Sequence, residues 1–248
     1  MLVFFERTLL FPAPSTAYGN WQASQFGAKE SFVENSGTKI HVWTLAKKDS
    51  TQTLIVCHGN GETLGLMGEE LVAMRDRWNV SLVAFDFRGY GKTGGEPNEA
   101  DILSDSVAVA KWVQEDALFG GQKIIVLGRS LGGASAIEIA TKTQVDGLIL
   151  DRTFSSIVDV AADRYFFFPV RWLMRNQFRS IEKITNYTGP LLQMHGDADD
   201  VVPYRFGKKL YDASAAKPKE FLSVSGLHHN DPWPDTFWTA GKKFLERL

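Results

Sequence analysis

The sequence predicts an α/β architecture in which a mainly parallel eight-stranded sheet is flanked by helices and carries a small helical cap. Two patterns predict it. Short β-rich runs recur at 31–33, 40–45, 53–57, 80–85, 123–127, 147–150, 190–194 and 220–224. Between most of the later runs lie segments with amphipathic helical spacing, at 64–78, 101–117, 131–143, 204–213 and 236–248. Strands alternating with helices imply parallel neighbours buried on both faces, because each crossover helix covers the sheet it returns to. The 248 residues contain no repeat, low-complexity tract or Pro/Ser-rich linker, so a single domain spanning 1–248 is expected.

Taken in order, the first eleven residues are apolar but include Glu6 and Arg7. The run is shorter than the ~20 residues of a spanning helix. An arm packed on the domain is the simpler expectation, and a peripheral membrane contact is the alternative. Runs 31–33 and 40–45 are joined through Ser36-Gly37-Thr38, too short for a crossover helix, so they should form an antiparallel hairpin. From there the alternation holds until Asp151. It then pauses over 152–189, where Tyr165, Phe166, Phe167, Phe168 and Trp172 cluster. This segment reads as a helical cap over the carboxyl ends of the strands, where open α/β sheets bind ligands. Its aromatic residues are expected to line a substrate pocket, with plain packing as the alternative.

Composition excludes several function classes. Hydrophobic residues make up 44% and charged residues 23%, as in ordinary globular chains, which argues against disorder or a fibre. A net charge of −2 offers no basic field to attract nucleic acid. The lone Cys57 cannot form an internal disulfide, lies in an apolar run and reads as a buried structural thiol, which favours a reducing, cytoplasmic setting. The histidines lack the close helical spacing of a zinc site, and neither metal nor cofactor is expected.

The strongest chemical signal is run 123–127 followed by Gly128-Arg129-Ser130-Leu131-Gly132-Gly133 and an alanine-rich helix. A strand entering a helix this abruptly forces a sharp turn at Ser130, and the glycines let neighbouring backbone approach. The helix N-terminus also sets amide groups beside a developing oxyanion. A serine hydroxyl needs a base and an orienting acid. Both types follow in the chain: Asp197, Asp199 and Asp200 in the turn after run 190–194, then His228 and His229 after run 220–224. Residue chemistry ranks neither the three carboxylates nor the two imidazoles. The Gly-rich turn His58-Gly59-Asn60-Gly61-Glu62 suits a second oxyanion donor, so the amides of Asn60 and Leu131 are the candidate oxyanion hole, with His58 orienting the turn. His41 and His195 read as a strand and a turn residue. Asp86 and Arg88 read as an internal ion pair, and Arg129 as a partner for a nearby acid.

Together these motifs resemble the α/β-hydrolase superfamily over nearly the whole chain. Gly128-Arg129-Ser130-Leu131-Gly132-Gly133, Asp86-Phe87-Arg88-Gly89-Tyr90-Gly91, Asp151-Arg152-Thr153-Phe154-Ser155-Ser156 and Gly226-Leu227-His228-His229-Asn230-Asp231 are most similar to the small α/β-hydrolase-domain serine hydrolases. Several of those are lipid-linked esterases or thioesterases. The resemblance implies the acid at Asp199, within His-Gly-x-x-Asp-x-x-Val-Pro, and the base at His229, before Asn-Asp. One departure is Thr93, where the family often has serine. The activity implied is hydrolysis of a small-molecule acyl ester or thioester through Ser130, His229 and Asp199. The alternatives are a small-peptide or amide hydrolase and a non-catalytic binding protein that kept the fold.

Overall fold

The computed structural model describes residues 2–167 and 169–248. Its strands are β1 (Lys29–Asn35), β2 (Thr38–Leu45), β3 (Gln52–Cys57), β4 (Ser81–Phe85), β5 (Lys123–Arg129), β6 (Gly147–Asp151), β7 (Leu191–Gly196) and β8 (Lys219–Val224). The helices are α1 (Leu2–Leu10), α2 (Leu64–Trp78), α3 (Glu99–Glu115), α4 (Gly132–Lys142), α5 (Ile157–Arg164), α6 (Val170–Leu173), α7 (Ser180–Ile184), α8 (Tyr204–Ala213) and α9 (Asp235–Glu246). Among the described residues the strands form one eight-stranded sheet in the order β1-β2-β4-β3-β5-β6-β7-β8. β1, β2 and β4 pair antiparallel, and every pairing from β4 through β8 is parallel.

The expected hairpin closes through two residues, Ser36 and Gly37, with Asn35 paired to Thr38. Both turn residues have positive φ, 49° and 74°, the handedness that matches strand twist. Central strands β4, β6 and β7 are buried at every position, whereas the edge strands β1 and β8 are partly exposed. Alternating residues feed two cores. Ile55 and Cys57 join α3, α4 and α8 on one face, while Leu54 and Val56 join α2 and α9 on the other.

The chain runs β3, α2, β4 in one direction and returns through α3 to β5 on the far side of β3. This reversal leaves a crevice at the carboxyl ends of β3 and β5, the place where open α/β sheets receive ligands. The turns following these two strands, His58 to Glu62 and Arg129 to Leu131, therefore face each other.

Three expectations are corrected. Arg88 does not pair with Asp86; it bonds Asp105 at 2.8 Å through Nε and Nη2, while Asp86 holds His41 Nδ1 at 2.8 Å and the Leu64 amide at 2.8 Å. Both are neighbours in sequence at the end of β4, but their side chains diverge onto different elements. His195 lies in β7, fully buried, instead of in the turn. The described members of the aromatic cluster in 152–189 do not turn inward as the later Phe178 does. Phe178 is buried edge-on against Phe11, with ring centroids 6.1 Å apart, whereas Phe166, Phe167 and Trp172 are 73%, 75% and 91% exposed. Tyr165 is also exposed, and Phe168 lies outside the described residues.

The N-terminal arm packs as the simpler expectation has it: Glu6 accepts from the Asn176 amide at 2.8 Å and Phe11 enters the core. Among the described residues no helix is long and apolar enough to cross a membrane. Cys57 is buried, and burial pushes its thiol up.

Packing between β3 and α4 is close enough to be tested. A Cβ on Gly132 would lie 2.1 Å from the Cys57 carbonyl oxygen, whereas Gly121 has nothing within 4 Å. Gly132→Ala should therefore lower unfolding stability by about 2 kcal/mol or more in urea titrations, by the cost of overpacking a rigid backbone contact. Gly121→Ala should stay within about 0.5 kcal/mol.

Candidate active site

Ser130 occupies the turn between β5 and α4 with φ at +49°, a left-handed conformation unfavourable for a residue with a Cβ. Neighbouring groups hold it there. The Ser130 amide donates to the Asp151 carbonyl at 2.9 Å, and its own carbonyl accepts from Thr153 Oγ1 at 2.7 Å and the Gly133 amide at 3.0 Å. Glycine on either side is required by space, since a Cβ on Gly128 would meet the Gly132 carbonyl oxygen at 2.4 Å. The hydroxyl is thereby lifted above the carboxyl edge of the sheet.

Asp199 follows β7 in the turn before α8, and His229 follows β8 in the loop before α9. His229 Nε2 lies 3.0 Å from Ser130 Oγ, and His229 Nδ1 lies 2.8 Å from Asp199 Oδ2. With the proton on Nδ1 donated to the carboxylate, the lone pair of Nε2 faces the serine hydroxyl. Asp199 Oδ1 accepts from the amides of Val201 at 3.0 Å and Val202 at 2.7 Å. Burial works against the charged form of Asp199, but hydrogen bonds from His195, His229 and the Val202 amide outweigh it and hold the carboxyl well below the usual range.

The competing residues have other partners. Asp197 accepts from the Gly226 amide at 2.6 Å, tying the two loops together. Asp200 and His228 are exposed, 3.9 Å apart. His195 Nε2 donates to the Val202 carbonyl at 2.8 Å and so shapes the turn that carries Asp199.

The turn after β3 lies across the crevice. Asn60 accepts from the Tyr90 hydroxyl at 2.5 Å and donates through Nδ2 to the Leu10 carbonyl at 2.6 Å. Its side chain is thus fully engaged. Among the described residues the backbone amides of Asn60 and Leu131 donate to no acceptor, and both residues line the same cavity as Ser130. His58 does orient this turn, with Nδ1 donating to the Gly59 carbonyl at 2.7 Å and Nε2 accepting from the Phe87 amide at 3.3 Å.

Beneath the site lies a charged cluster that sequence reading only half found. Asp151, fully buried at the end of β6, accepts from Arg152 Nε at 2.8 Å, Arg129 Nε at 3.1 Å and Trp233 Nε1 at 2.7 Å. Burial alone would raise its pKa; Arg152 and Arg129 outweigh that and lower it. Arg129 also reaches Glu62 at 2.9 Å and Glu70, and Glu62 accepts from the Gly59 amide at 2.5 Å. Arg152 Nη1 donates to the carbonyls of His228 at 3.0 Å and Asp231 at 2.7 Å, clamping the loop that carries His229. Arg129 was expected to meet an acid and does so. Arg152 was quoted only as part of a motif. Two charged residues ending a buried apolar strand were the available signal.

The cavity over Ser130 has a volume of about 760 Å³. Its lining combines the apolar Phe154, Ile157, Val160 and Val202 with the charged Glu62, Glu70 and Arg129, and the Arg129 guanidinium lies over the Trp233 ring, 5.0 Å from its centroid. Tyr165, Phe166, Phe167 and Trp172 do not line it. They stand beyond the end of α5, whose first turns supply Ile157 and Val160 instead.

Residues 48–176 match the family model described as serine aminopeptidase, S33. An uncharacterized protein of Mycobacterium tuberculosis is 34% identical over 183 residues, 74% of this chain and 64% of that protein. The alpha/beta hydrolase domain-containing protein 17B of Xenopus tropicalis is 30% identical over 221 residues, 86% of this chain and 74% of that one. An esterase of Pyrococcus furiosus superposes with a TM-score of 0.78 at 19% identity, covering 95% of this chain and 99% of that chain, a likeness of fold alone. The chain belongs to the serine aminopeptidase S33 family of the α/β-hydrolase superfamily.

Proposed function

We propose that this chain is a serine hydrolase that cleaves carboxylic esters or thioesters through an acyl-enzyme. The observation that carries the proposal is the unbroken hydrogen-bonded series from Ser130 Oγ through His229 to Asp199, at 3.0 and 2.8 Å, opening onto a cavity with an apolar wall. In the first half-reaction Ser130 Oγ attacks the acyl carbon while His229 Nε2 takes the hydroxyl proton. Asp199 keeps the imidazole in the right tautomer and stabilises its positive charge. The tetrahedral oxyanion accepts from the free amides of Asn60 and Leu131. The imidazolium then protonates the departing alcohol or thiol. Water repeats the sequence on the acyl-serine, releasing the acid and restoring the hydroxyl.

The family description raises a second reading, removal of an N-terminal amino acid from a peptide. Such a substrate brings an α-ammonium group that needs a free carboxylate near the serine. Of the acids lining the cavity, Glu62 and Glu70 are both committed to Arg129 and Asp231 accepts from the His228 amide at 2.7 Å, which supports the ester reading over the peptide one. Residues 152–189 act in this proposal as a cap whose α5 supplies the acyl wall. The substrate is a small acyl ester or thioester, and no cofactor takes part.

Three results are expected. Ser130→Ala should abolish p-nitrophenyl acetate hydrolysis and fluorophosphonate labelling while leaving the circular dichroism spectrum unchanged; wild-type turnover by the folded variant would end the proposal. His229→Ala should lower kcat by about 10³-fold or more and Asp199→Asn by about 10²-fold or more, whereas His228→Ala and Asp200→Asn should retain most activity. Equal losses at His228 and His229 would reassign the base. Across p-nitrophenyl esters of rising acyl length, kcat/KM should climb about fourfold per methylene until the cavity fills, from about 0.8 kcal/mol per buried CH₂. Phe154→Ala should flatten that climb, and a preference for acetyl over octanoyl would remove the apolar wall from the account.

A further inference from the structure

We infer that the exposed tip of the insertion between β6 and β7 is a docking surface for an anionic lipid bilayer. Residues 164–179 carry four arginines and no acidic residue, interleaved with the aromatic side chains that were expected to line the substrate cavity. Folding leaves Tyr165, Phe166, Phe167 and Trp172 outside. Phe166 and Phe167 pack on each other with centroids 3.7 Å apart, and Trp172 stands free beside them, all at least 73% exposed. Water-facing aromatic surface of this extent in one short segment is unfavourable for a chain that stays in bulk water. It is stabilised where rings enter the headgroup region of a membrane, since indole and phenyl groups favour that boundary.

Charge selects the kind of bilayer. Arg171 and Arg205 are paired with Asp159 and Asp163 at the base of the tip. The guanidinium groups of Arg164 and Arg175 have no acidic partner among the described residues, and both residues are exposed. A ring of aromatics with unpaired arginines beside it matches lipid headgroups that present negative phosphates without a neutralising cation. The apolar helix α1 lies alongside, tied to the same segment through Glu6, which accepts from the amides of Arg175 at 3.0 Å and Asn176 at 2.8 Å. Its Leu9 is 68% exposed and extends the apolar surface.

Position gives the surface a purpose. α5 lines the cavity over Ser130 with Ile157 and Val160 at its start and delivers the exposed rings at its end. A bilayer held by the tip therefore sits beside the cavity, and this last step rests on the hydrolase proposal, whereas docking itself does not.

Sedimentation of the full chain with phosphatidylcholine vesicles, with and without phosphatidylglycerol, tests the docking, using brominated lipid to quench tryptophan. The wild type should bind the anionic vesicles more tightly and release them as salt rises. Phe166→Ser with Trp172→Ser should weaken binding by about tenfold or more. Arg164→Gln with Arg175→Gln should remove the preference for anionic lipid. Both double variants should hydrolyse a soluble acetyl ester at the wild-type rate, so a failed hydrolase proposal and a failed docking surface give separate readings. Trp172→Phe should keep vesicle binding but lose quenching by bromine. Undiminished binding of the Phe166/Trp172 variant would move the contact to α1 and overturn the inference. So would an absence of vesicle binding together with self-association of the wild type that this variant abolishes.

Discussion

The site depends on one carboxylate. Asp151 is fully buried and would be destabilising if alone, yet it lies between two guanidiniums and an indole N–H that together satisfy it. Each donor comes from a different element: Arg129 precedes Ser130, Arg152 clamps the loop of His229, and Trp233 lies farther along that loop. Through Arg129 and Glu62 the same cluster reaches the Gly59 amide and so the turn of Asn60. Buried charge of this kind adds little net stability compared with apolar packing, but removing one member leaves the others unpaired. Its effect is to fix the relative positions of loops that come from distant strands.

Positions matter to the proposed chemistry because proton transfer from Ser130 to His229 would be set by distance. A loop on β8 must present its imidazole to a serine on β5, with β6 and β7 between them in the sheet. The strands supply a rigid base, and the loops above would otherwise be free to shift. Asp199 and Asp151 both have carboxyls held below the ordinary range, so the stability they contribute is fully present above a pH of about 3.9 and is lost as the pH falls below it. At neutral pH the acid of the series and the anchor beneath it are therefore both ionised.

Much of this was legible beforehand, and the reasons are physical. Parallel strands buried on both faces are continuous apolar runs, which is why β3 to β7 stood out, whereas β1 and β2 were legible through the short link between them. The turn at Ser130 was legible because a left-handed residue flanked by glycine leaves a sequence mark. Spacing did not separate Asp199 from Asp197, or His229 from His228; the family motif pointed to the members that the hydrogen bonds join. The aromatic insertion was misread because a phenyl ring buried in a pocket and one exposed to solvent are identical in sequence. Phe178 and Phe166 lie in one segment and face opposite ways. Asp86 and Arg88 were paired by proximity in the chain, and their partners came from β2, α2 and α3 instead. Thr93, the departure from the family pattern, keeps the bonds a serine would make, donating to the Asp86 carbonyl at 2.8 Å and accepting from the His41 amide at 2.9 Å.

The central claim is that the Asp151 cluster holds serine, base and oxyanion turn in register, and it is tested most directly by the rate of fluorophosphonate labelling of Ser130 in Asp151→Asn. Asparagine keeps the volume and removes the charge that binds both arginines, so labelling should slow by about 10²-fold or more while circular dichroism still reports a folded chain. Labelling of the folded variant at the wild-type rate would contradict the account.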